Sequence, residues 1–198
     1  MNNKEIFNKY KQLFLGKNSV LNLISKNDEQ FLEEKHIFDS LSINLFFKKY
    51  GQNFKTLLDI GTGGGFPALP IAIEYPEIEV TGIDSTTKKI NAITEIANKL
   101  ELKNFNAIAD RVENLKNIKF DLITSRAVAK LDVIAKYALP LMHRDSFLIV
   151  YKSKTVKEEI KDSEIFLKKH KASVIDVIEY KLPLEEIYER NLVVIKYE

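Results

Sequence analysis

Four of the chain's seven glycines lie together between residues 61 and 65. They follow a short β-rich run and precede Phe66-Pro67-Ala68-Leu69, so a strand has to turn sharply into a helix at this point. Glycine permits positive φ and lets a ligand approach the backbone without a Cβ in the way. Pro67 suits the first helical position, because its missing N–H needs no partner there. The spacing therefore predicts a loop that binds a nucleoside cofactor.

Two side chains beside this loop separate the two cofactor classes that use such a turn. A dinucleotide-binding loop has glycine or alanine at its sixth position, where this chain has Phe66. Asp59, two residues before Gly61, places a carboxylate where a pyrophosphate would be repelled and an ammonium or sulfonium attracted. Asp84 ends the next predicted strand and can accept hydrogen bonds from the ribose hydroxyls of either cofactor. The residues therefore favour S-adenosylmethionine over NAD.

The residues after the fourth predicted strand bear on the methyl acceptor. Enzymes that methylate exocyclic amines of bases commonly carry an Asn/Asp-Pro-Pro-Tyr-like clamp there, whereas this chain has Thr124-Ser125-Arg126-Ala127-Val128. The chain has no cysteine, which excludes methylation of cytosine C5 through a thiol nucleophile. A nucleophile with an accessible lone pair, such as guanine N7, needs only alignment and a suitable electrostatic surrounding. The pattern is compatible with that class of acceptor.

Arginine is scarce in the chain, and its placement is informative. The four arginines are Arg111, Arg126, Arg144 and Arg190. Arg111 follows the third predicted strand and Arg126 the fourth, at the edge where an open α/β sheet binds ligands. Guanidinium groups stack on bases and grip phosphates in a bidentate way. We therefore interpret Arg111 and Arg126 as contacts of cofactor or substrate, with surface ion pairing as the alternative.

His36 and Lys152 are further candidates for contact with RNA. His36 lies on a predicted helix, where a histidine is otherwise structural or solvated, and Lys152 follows the fifth predicted strand. His143 and His170 have no ligand partners at metal spacing, so we predict no metal site. The 30 basic residues exceed the 28 acidic ones by a net charge of +2, which is too small to indicate nucleic acid by itself. A nucleic-acid function must therefore rest on such local features.

Short β-rich runs alternate with amphipathic stretches from Thr56 onward, which is typical of βαβ units and a mostly parallel sheet. Helices are predicted between the first five strands, and the last two strands are predicted to pair antiparallel at the sheet edge. The predicted fold class is α/β, a Rossmann-like class I S-adenosylmethionine-dependent methyltransferase fold with a seven-stranded, mostly parallel sheet. We predict a single domain, with an N-terminal helical extension at 1–50 and the α/β core at 51–198. The predicted strands are 56–60, 78–83, 104–108, 120–124, 147–151, 173–180 and 192–197.

Nothing in the sequence predicts membrane insertion. No apolar run approaches the roughly 20 residues that a membrane helix needs. The charged start, Met1-Asn2-Asn3-Lys4-Glu5, does not resemble a secretory signal. A cytoplasmic protein without membrane contact is therefore expected.

Five segments of the chain carry a resemblance that spans Asn22 to Lys196. They are Asn22-Leu23-Ile24-Ser25, His36-Ile37-Phe38-Asp39-Ser40-Leu41, Asp59-Ile60-Gly61-Thr62-Gly63-Gly64-Gly65-Phe66-Pro67, Ser125-Arg126-Ala127 and Arg190-Asn191-Leu192-Val193-Val194-Ile195-Lys196. Together they resemble the RsmG or GidB family, and the second and fourth segments are specific to it. The resemblance implies methylation of N7 of the guanine at position 527, in the 530 loop of 16S ribosomal RNA. Two departures, Ile24 where threonine is usual and Lys89 where arginine is common, weaken individual contacts.

The residue patterns and the resemblance together assign roles by position. Contacts with S-adenosylmethionine are expected for Asp59, Gly61, Gly63, Gly65, Phe66, Asp84, Ser85, Val112, Glu113 and Arg126. Catalytic roles beside the target base are expected for His36, Arg111 and Arg126, and RNA contacts for Asn22, His36, Lys152 and Arg190. The expected partner is 16S ribosomal RNA or the 30S ribosomal subunit, and the expected state is a monomer.

Three alternatives remain open from the sequence. The first is a Rossmann dehydrogenase, which Phe66 and Asp59 disfavour. The second is a ribosome-assembly binding module that retains the cofactor pocket without turning the cofactor over. The third is a methyltransferase that acts on another RNA or a small molecule.

Overall fold

A computed structural model describes residues 3–198. The chain begins with helix α1 (Asn3–Leu21), a 3₁₀ helix (Lys26–Phe31), a π-helical segment (Leu32–Phe38) and two short helices, α2 (Asp39–Leu41) and α3 (Asn44–Tyr50). The hydroxyl of Ser25 accepts a hydrogen bond from the Asp28 N–H at 3.2 Å, and this cap starts the 3₁₀ helix. The N-terminal extension is therefore helical, as predicted, although part of it is not regular α-helix.

Seven strands follow the extension and form one sheet. They are β1 (Thr56–Ile60), β2 (Glu79–Asp84), β3 (Phe105–Ala109), β4 (Phe120–Arg126), β5 (Met142–Ser153), β6 (Ala172–Leu182) and β7 (Tyr188–Tyr197). Four helices lie between them: α4 (Ala68–Glu74), α5 (Thr87–Lys99), α6 (Leu131–Ala138) and α7 (Lys157–Lys169). The strand order is β3-β2-β1-β4-β5-β7-β6, with the first five strands parallel and β7 antiparallel to both of its neighbours. This confirms the predicted Rossmann-like, mostly parallel sheet.

The strand order reverses between β1 and β4, which are neighbours in the sheet. The chain runs outward from β1 through β2 to β3, then returns to the other side of β1 as β4. Such a reversal opens a crevice at the carboxyl ends of the strands, where open α/β sheets bind ligands. The glycine-rich segment and Arg126 therefore both lie at the mouth of this crevice.

Two local predictions are wrong. No α-helix separates β3 from β4: the connection holds only a three-residue 3₁₀ helix, Val112–Asn114. Its inward contacts come from Val112 and Leu115 alone, and Asn117 turns the chain with φ of +60°, so no helical apolar face forms. Pro67 is not the first residue of α4, because it is the cap residue that precedes the helix.

Both faces of the sheet are covered, which explains the apolar run at residues 147–151 of β5 and the buried leucines of β1. Successive residues point to opposite faces, so Leu58 packs in the cluster that contains α6, whereas Leu57 packs in the cluster that contains α3 and α4. A third cluster joins Phe14 of α1 to Ile93 of α5 and to Phe66. The extension thus packs directly on the core. Within residues 3–198, no helix is both long and apolar enough to cross a membrane.

Candidate active site

A cavity of about 620 Å³, here called the first pocket, lies at the carboxyl ends of β1, β2 and β4. This volume is within the usual range of about 300–1,000 Å³ for small-molecule sites. The pocket is lined by residues 23–25, 60–64, 83–85, 110–113 and 126–128, together with Asp28, His36, Phe66, Lys89 and Tyr137. It therefore brings together Gly61, Gly63, Phe66, Asp84, Ser85, Arg111, Val112, Glu113, His36 and Arg126 of the predicted site residues.

The glycine loop takes a shape that requires glycine. Gly61, Gly63 and Gly65 have φ of +69°, +53° and +88°. The N–H of Gly61 donates to the Ile83 carbonyl at 2.9 Å, which fixes the loop over β2. A Cβ on Gly61 would lie 2.4 Å from Val128 Cγ2, so the loop presents bare backbone to the pocket. Gly65 does not line the pocket; a Cβ there would collide with α4.

Asp84 holds the loop to the second strand. One carboxylate oxygen accepts a hydrogen bond from the Gly63 N–H at 3.0 Å, and the other accepts from the Thr86 N–H at 2.8 Å. The carboxylate is therefore fixed at the edge of the pocket, with lone pairs left for further donors.

Asp59 lies beneath the loop, outside the residues that line the pocket. Its side chain is fully buried and accepts a hydrogen bond from the Thr124 hydroxyl at 2.9 Å. Burial raises the pKa of Asp59 to about 7, although the hydrogen bond from Thr124 and the charge of Arg126 oppose the rise. The sequence predicts contact between this carboxylate and the cofactor. In the structure the carboxylate is buried beneath the glycine loop and does not line the first pocket.

Arg126 ends β4 and connects the sheet to the extension. Its Nη1 donates to Asp39 Oδ2 at 2.9 Å and to the Lys35 carbonyl at 3.2 Å, and its Cζ lies 5.2 Å from the centroid of the Phe66 ring. The Arg126 side chain is 14% exposed and that of Asp39 is 3% exposed, so this is a largely buried ion pair. Arg126 is therefore held in one orientation at the pocket wall.

The hydrogen bond between Arg126 and His36 determines the state of the histidine. Arg126 Nη2 lies 3.0 Å from His36 Nδ1. A guanidinium can only donate, so Nδ1 accepts and the ring proton lies on Nε2. Burial and the charge of Arg126 lower the pKa of His36 to about 4. His36 is therefore neutral near pH 7, and its Nδ1 is not available as a base.

Asp39 is a site residue that the sequence analysis missed. Besides Arg126, it accepts a hydrogen bond from the Tyr180 hydroxyl at 2.6 Å and lies 4.0 Å from Arg190 Nε. It thus joins the extension to β4, β6 and β7. Its presence in the His36-to-Leu41 segment was the available signal, but spacing alone does not indicate which distant side chains it contacts.

A second pocket of about 400 Å³ adjoins the first. The two pockets share Asp28, His36, Arg126 and Ala127. The remaining lining residues of the second pocket are Lys35, Asp39, Tyr151, Lys152, Ser153, Tyr188 and Arg190. Two predicted RNA contacts, Lys152 and Arg190, are therefore brought next to His36 and Arg126.

Of the four cationic side chains that line the second pocket, Lys152 and Arg190 differ in how far they are already paired. Lys152 Nζ donates to Glu159 Oε2 at 2.5 Å and to the Ala129 carbonyl at 2.8 Å. Arg190 has a single ion-pair contact within the described residues, with Asp39 at 4.0 Å, and its side chain is 32% exposed. Arg190 is therefore the more available of the two for an anionic ligand.

The other predicted residues lie at the periphery. Asn22 is exposed, has φ of +48° and lines neither pocket, although the next three residues line the first. Arg111 is exposed at the rim of the first pocket. Across residues 3–198, no group of histidine, aspartate and glutamate side chains could hold a metal ion.

Comparison with known sequences identifies close relatives. A family profile described as rRNA small subunit methyltransferase G matches residues 3–192. The chain is 37% identical over 197 residues to the ribosomal RNA small subunit methyltransferase G of Thermoanaerobacter sp. (strain X514), covering 97% of this chain and 81% of that protein. It is 34% identical over 196 residues to the protein of the same name from Staphylococcus epidermidis, with the same coverage.

Solved structures of low sequence identity share the fold. The magnesium protoporphyrin IX methyltransferase of Synechocystis, solved with bound S-adenosylmethionine, superposes with a TM-score of 0.65 at 15% identity and covers 87% of this chain and 85% of that one. An S-adenosylmethionine-dependent methyltransferase from Clostridium acetobutylicum gives a TM-score of 0.64 at 14% identity, covering 86% and 95%. These similarities confirm the class I methyltransferase fold.

Proposed function

The chain belongs to the rRNA small subunit methyltransferase G family, and from that premise we propose that it methylates N7 of a guanine in the 530 loop of 16S ribosomal RNA. Family membership makes it an S-adenosylmethionine-dependent methyltransferase and contradicts the dehydrogenase alternative. The observation that carries the proposal is the shared wall of Asp28, His36, Arg126 and Ala127, which places a cofactor-sized pocket beside a cation-lined one. We extend the proposal to the 30S subunit as partner, a monomeric enzyme and action in the cytoplasm.

The first pocket fits the cofactor by its shape and its donor set. S-adenosylmethionine supplies an electrophilic methyl group on a sulfonium. We assign the backbone of Gly61 and Gly63 to close contact with it, since both residues line the first pocket and neither carries a side chain. Asp84 accepts hydrogen bonds from the ribose with its remaining lone pairs, assisted by Ser85. The backbone of Val112 and Glu113 and the ring of Phe66 complete the contacts.

Asp59 and Gly65 act on the cofactor through the loop rather than by contact. A bound cation near Asp59 stabilises the ionised form of the carboxylate, and the ionised carboxylate stabilises binding of the cation by the same free energy. Gly65 permits the tight packing of the loop on α4 that fixes Gly61 and Gly63.

The shared wall suits a nucleophile that needs no general base. Guanine N7 carries a free lone pair, so the protein has only to align it with the methyl group. His36 Nδ1 is already bonded to Arg126, consistent with an acceptor that keeps no proton to be removed. Arg126 uses three of its five N–H donors in the contacts described above, which leaves donors for the base edge or the cofactor.

The remaining predicted residues are assigned to the RNA around the target base. Arg190 is assigned to a phosphate, because its charge is the least neutralised in the second pocket. Lys152 is already paired with Glu159, so we assign it a weaker contact with the RNA. Arg111 and Asn22 lie at the rim, where they can contact the flanking strand.

The proposal is tested by incubating the enzyme with labelled S-adenosylmethionine and unmodified small ribosomal subunits, then mapping the labelled nucleotide. We expect one guanine, modified at N7, in the 530 loop. Arg126→Met should reduce this methylation at least about tenfold, because one lost charge-assisted contact of about 1.4 kcal/mol already has that effect. Arg144→Met is the matched control, since Arg144 is exposed on β5 at the opposite end of the sheet.

Other outcomes would identify the alternatives. Tight cofactor binding without turnover on subunits would indicate a ribosome-assembly module. Label in a different nucleotide, or in a small molecule only, would refute the proposed acceptor. Equal methylation by Arg126→Met and wild type would refute the role of Arg126.

A further inference from the structure

We infer that Tyr188 is the stacking wall for the target guanine in the second pocket, an inference that rests on the proposed function. Tyr188 is the first residue of β7 and lines the second pocket together with Arg126 and Arg190. Tyr188 is 39% exposed. No role for Tyr188 follows from the sequence patterns described above.

A base that reaches the methyl group has to leave its own stack, and proteins commonly replace the lost stacking with an aromatic plane. Among the described residues that line the second pocket, the aromatic ones are His36, Tyr151 and Tyr188. Tyr151 is 4% exposed and its hydroxyl donates to the Ser40 carbonyl at 2.7 Å. The His36 ring packs against Phe66, with 5.0 Å between centroids. Tyr188 is therefore the most exposed of the three rings, and the face of it that Lys35 does not cover is the one available to a base.

The ring is positioned by a neighbouring cation. Lys35 Nζ lies 5.5 Å from the centroid of Tyr188 and 4.6 Å from that of Phe31, and it pairs with Asp28 Oδ1 at 3.0 Å. A cation over an aromatic ring is attracted to its face. Lys35 therefore connects the end of the β6–β7 hairpin to the extension, next to Asp28 of the shared wall.

Tyr188 and Arg190 act from one face of the same strand. Residues two apart in a strand point the same way, and both side chains line the second pocket. A single extruded nucleotide presents a base and a phosphate. The ring of Tyr188 can stack on the base while the guanidinium of Arg190 binds the phosphate. We assign the second pocket to the target guanosine and not to a flanking nucleotide, since Arg126 and Ala127 line both this pocket and the first one.

The test compares Tyr188→Leu, which removes the ring but keeps an apolar side chain, with Tyr188→Phe, which keeps the ring. The substrate is unmodified small subunits, and KM and kcat are measured with saturating S-adenosylmethionine. We expect Tyr188→Leu to raise KM for subunits about tenfold, the size of one lost base–aromatic stack. Tyr188→Phe should stay within about twofold of wild type. Calorimetric affinity for S-adenosylmethionine should be unchanged in both, which also shows that the variants are folded.

Ile187→Ala is the matched control, because Ile187 is 74% exposed on the same hairpin and does not line the second pocket. A KM for Tyr188→Leu within twofold of wild type overturns the inference and leaves the proposed function standing. An equal loss in Tyr188→Phe also overturns it, since the hydroxyl and not the ring would then matter. If wild type leaves the subunits unmethylated, the proposed function fails and the inference fails with it.

Discussion

Replacing Asp39 by asparagine removes one charge from the second pocket, beside Arg126, and leaves the shape of the side chain nearly unchanged. In the wild type, Asp39 accepts hydrogen bonds from Arg126 at 2.9 Å and from the Tyr180 hydroxyl at 2.6 Å. The asparagine oxygen can still accept from Tyr180. Its amide N–H groups would then face the Arg126 guanidinium, and two donors do not pair.

The expected loss follows from these contacts. A hydrogen bond to a charged group contributes about 1.5–3 kcal/mol, and breaking a buried ion pair costs about 3–5 kcal/mol. Arg126 retains its bonds to the Lys35 carbonyl and to His36, so the lower end of the second range applies. We therefore expect Asp39→Asn to lower the free energy of unfolding by about 3 kcal/mol.

Urea denaturation followed by far-ultraviolet circular dichroism measures this loss. A double-mutant cycle with Arg126→Met separates the pair from its surroundings, and we expect the double variant to lose about 1–2 kcal/mol less than the sum of the single losses. Asp162→Asn is the control, because Asp162 is exposed on α7 and its replacement should stay within about 0.5 kcal/mol. A coupling energy below about 0.5 kcal/mol would refute the reasoning, since the two groups would then stabilise the fold independently.

Two further predictions concern other parts of the chain. Gly65→Ala should lower the free energy of unfolding by about 1–3 kcal/mol, because Gly65 has φ of +88° and a Cβ there would lie 2.7 Å from a leucine methyl group. Urea denaturation measures this loss. Gly16→Ala is the control, because Gly16 lies in helix α1 with open space around it, and this substitution should raise the free energy of unfolding by up to about 1 kcal/mol. Hydrogen bonds to the Arg144 carbonyl and the Asp121 carboxylate raise the pKa of His143. Protonated His143 therefore stabilises the folded protein fully below about pH 6.5, and this stabilisation is lost as pH rises through the pKa of the folded state. His143→Gln should therefore shrink the stability difference between mildly acidic and alkaline pH by less than about 1 kcal/mol, as expected for a half-exposed pair, and an unchanged difference in urea titrations would contradict this assignment.

The sheet could be predicted because its signals are local. A run of apolar residues buried on both faces and a glycine turn after it are readable in the sequence, and β1 has the predicted bounds. The link between β3 and β4 could not be predicted in the same way. Its conformation depends on Val112 and Leu115 reaching the core, not on any periodic pattern.

The site was predictable as a set of positions and not as a network. The approach of Arg126 to the first pocket follows from its place at the end of a strand. The depth of Asp59 does not, because it depends on which face of β1 lies under α4. The π-helical segment Leu32–Phe38 is equally non-local, since the Lys35 carbonyl within it accepts from Arg126, 91 positions away. Contacts over such distances leave no periodicity in the chain.

Phe66 gives the loop a mechanical link to the first helix. Its ring centroid lies 5.0 Å from that of Phe14 and 6.3 Å from that of Tyr10, and both of these residues belong to α1. A molecule that displaces the loop therefore also disturbs the packing of Phe66 against α1. By reciprocity, a molecule that binds α1 changes the affinity of the loop for its own ligand by the same factor as that ligand changes the affinity of α1, so the two binding events are coupled even though their surfaces do not touch.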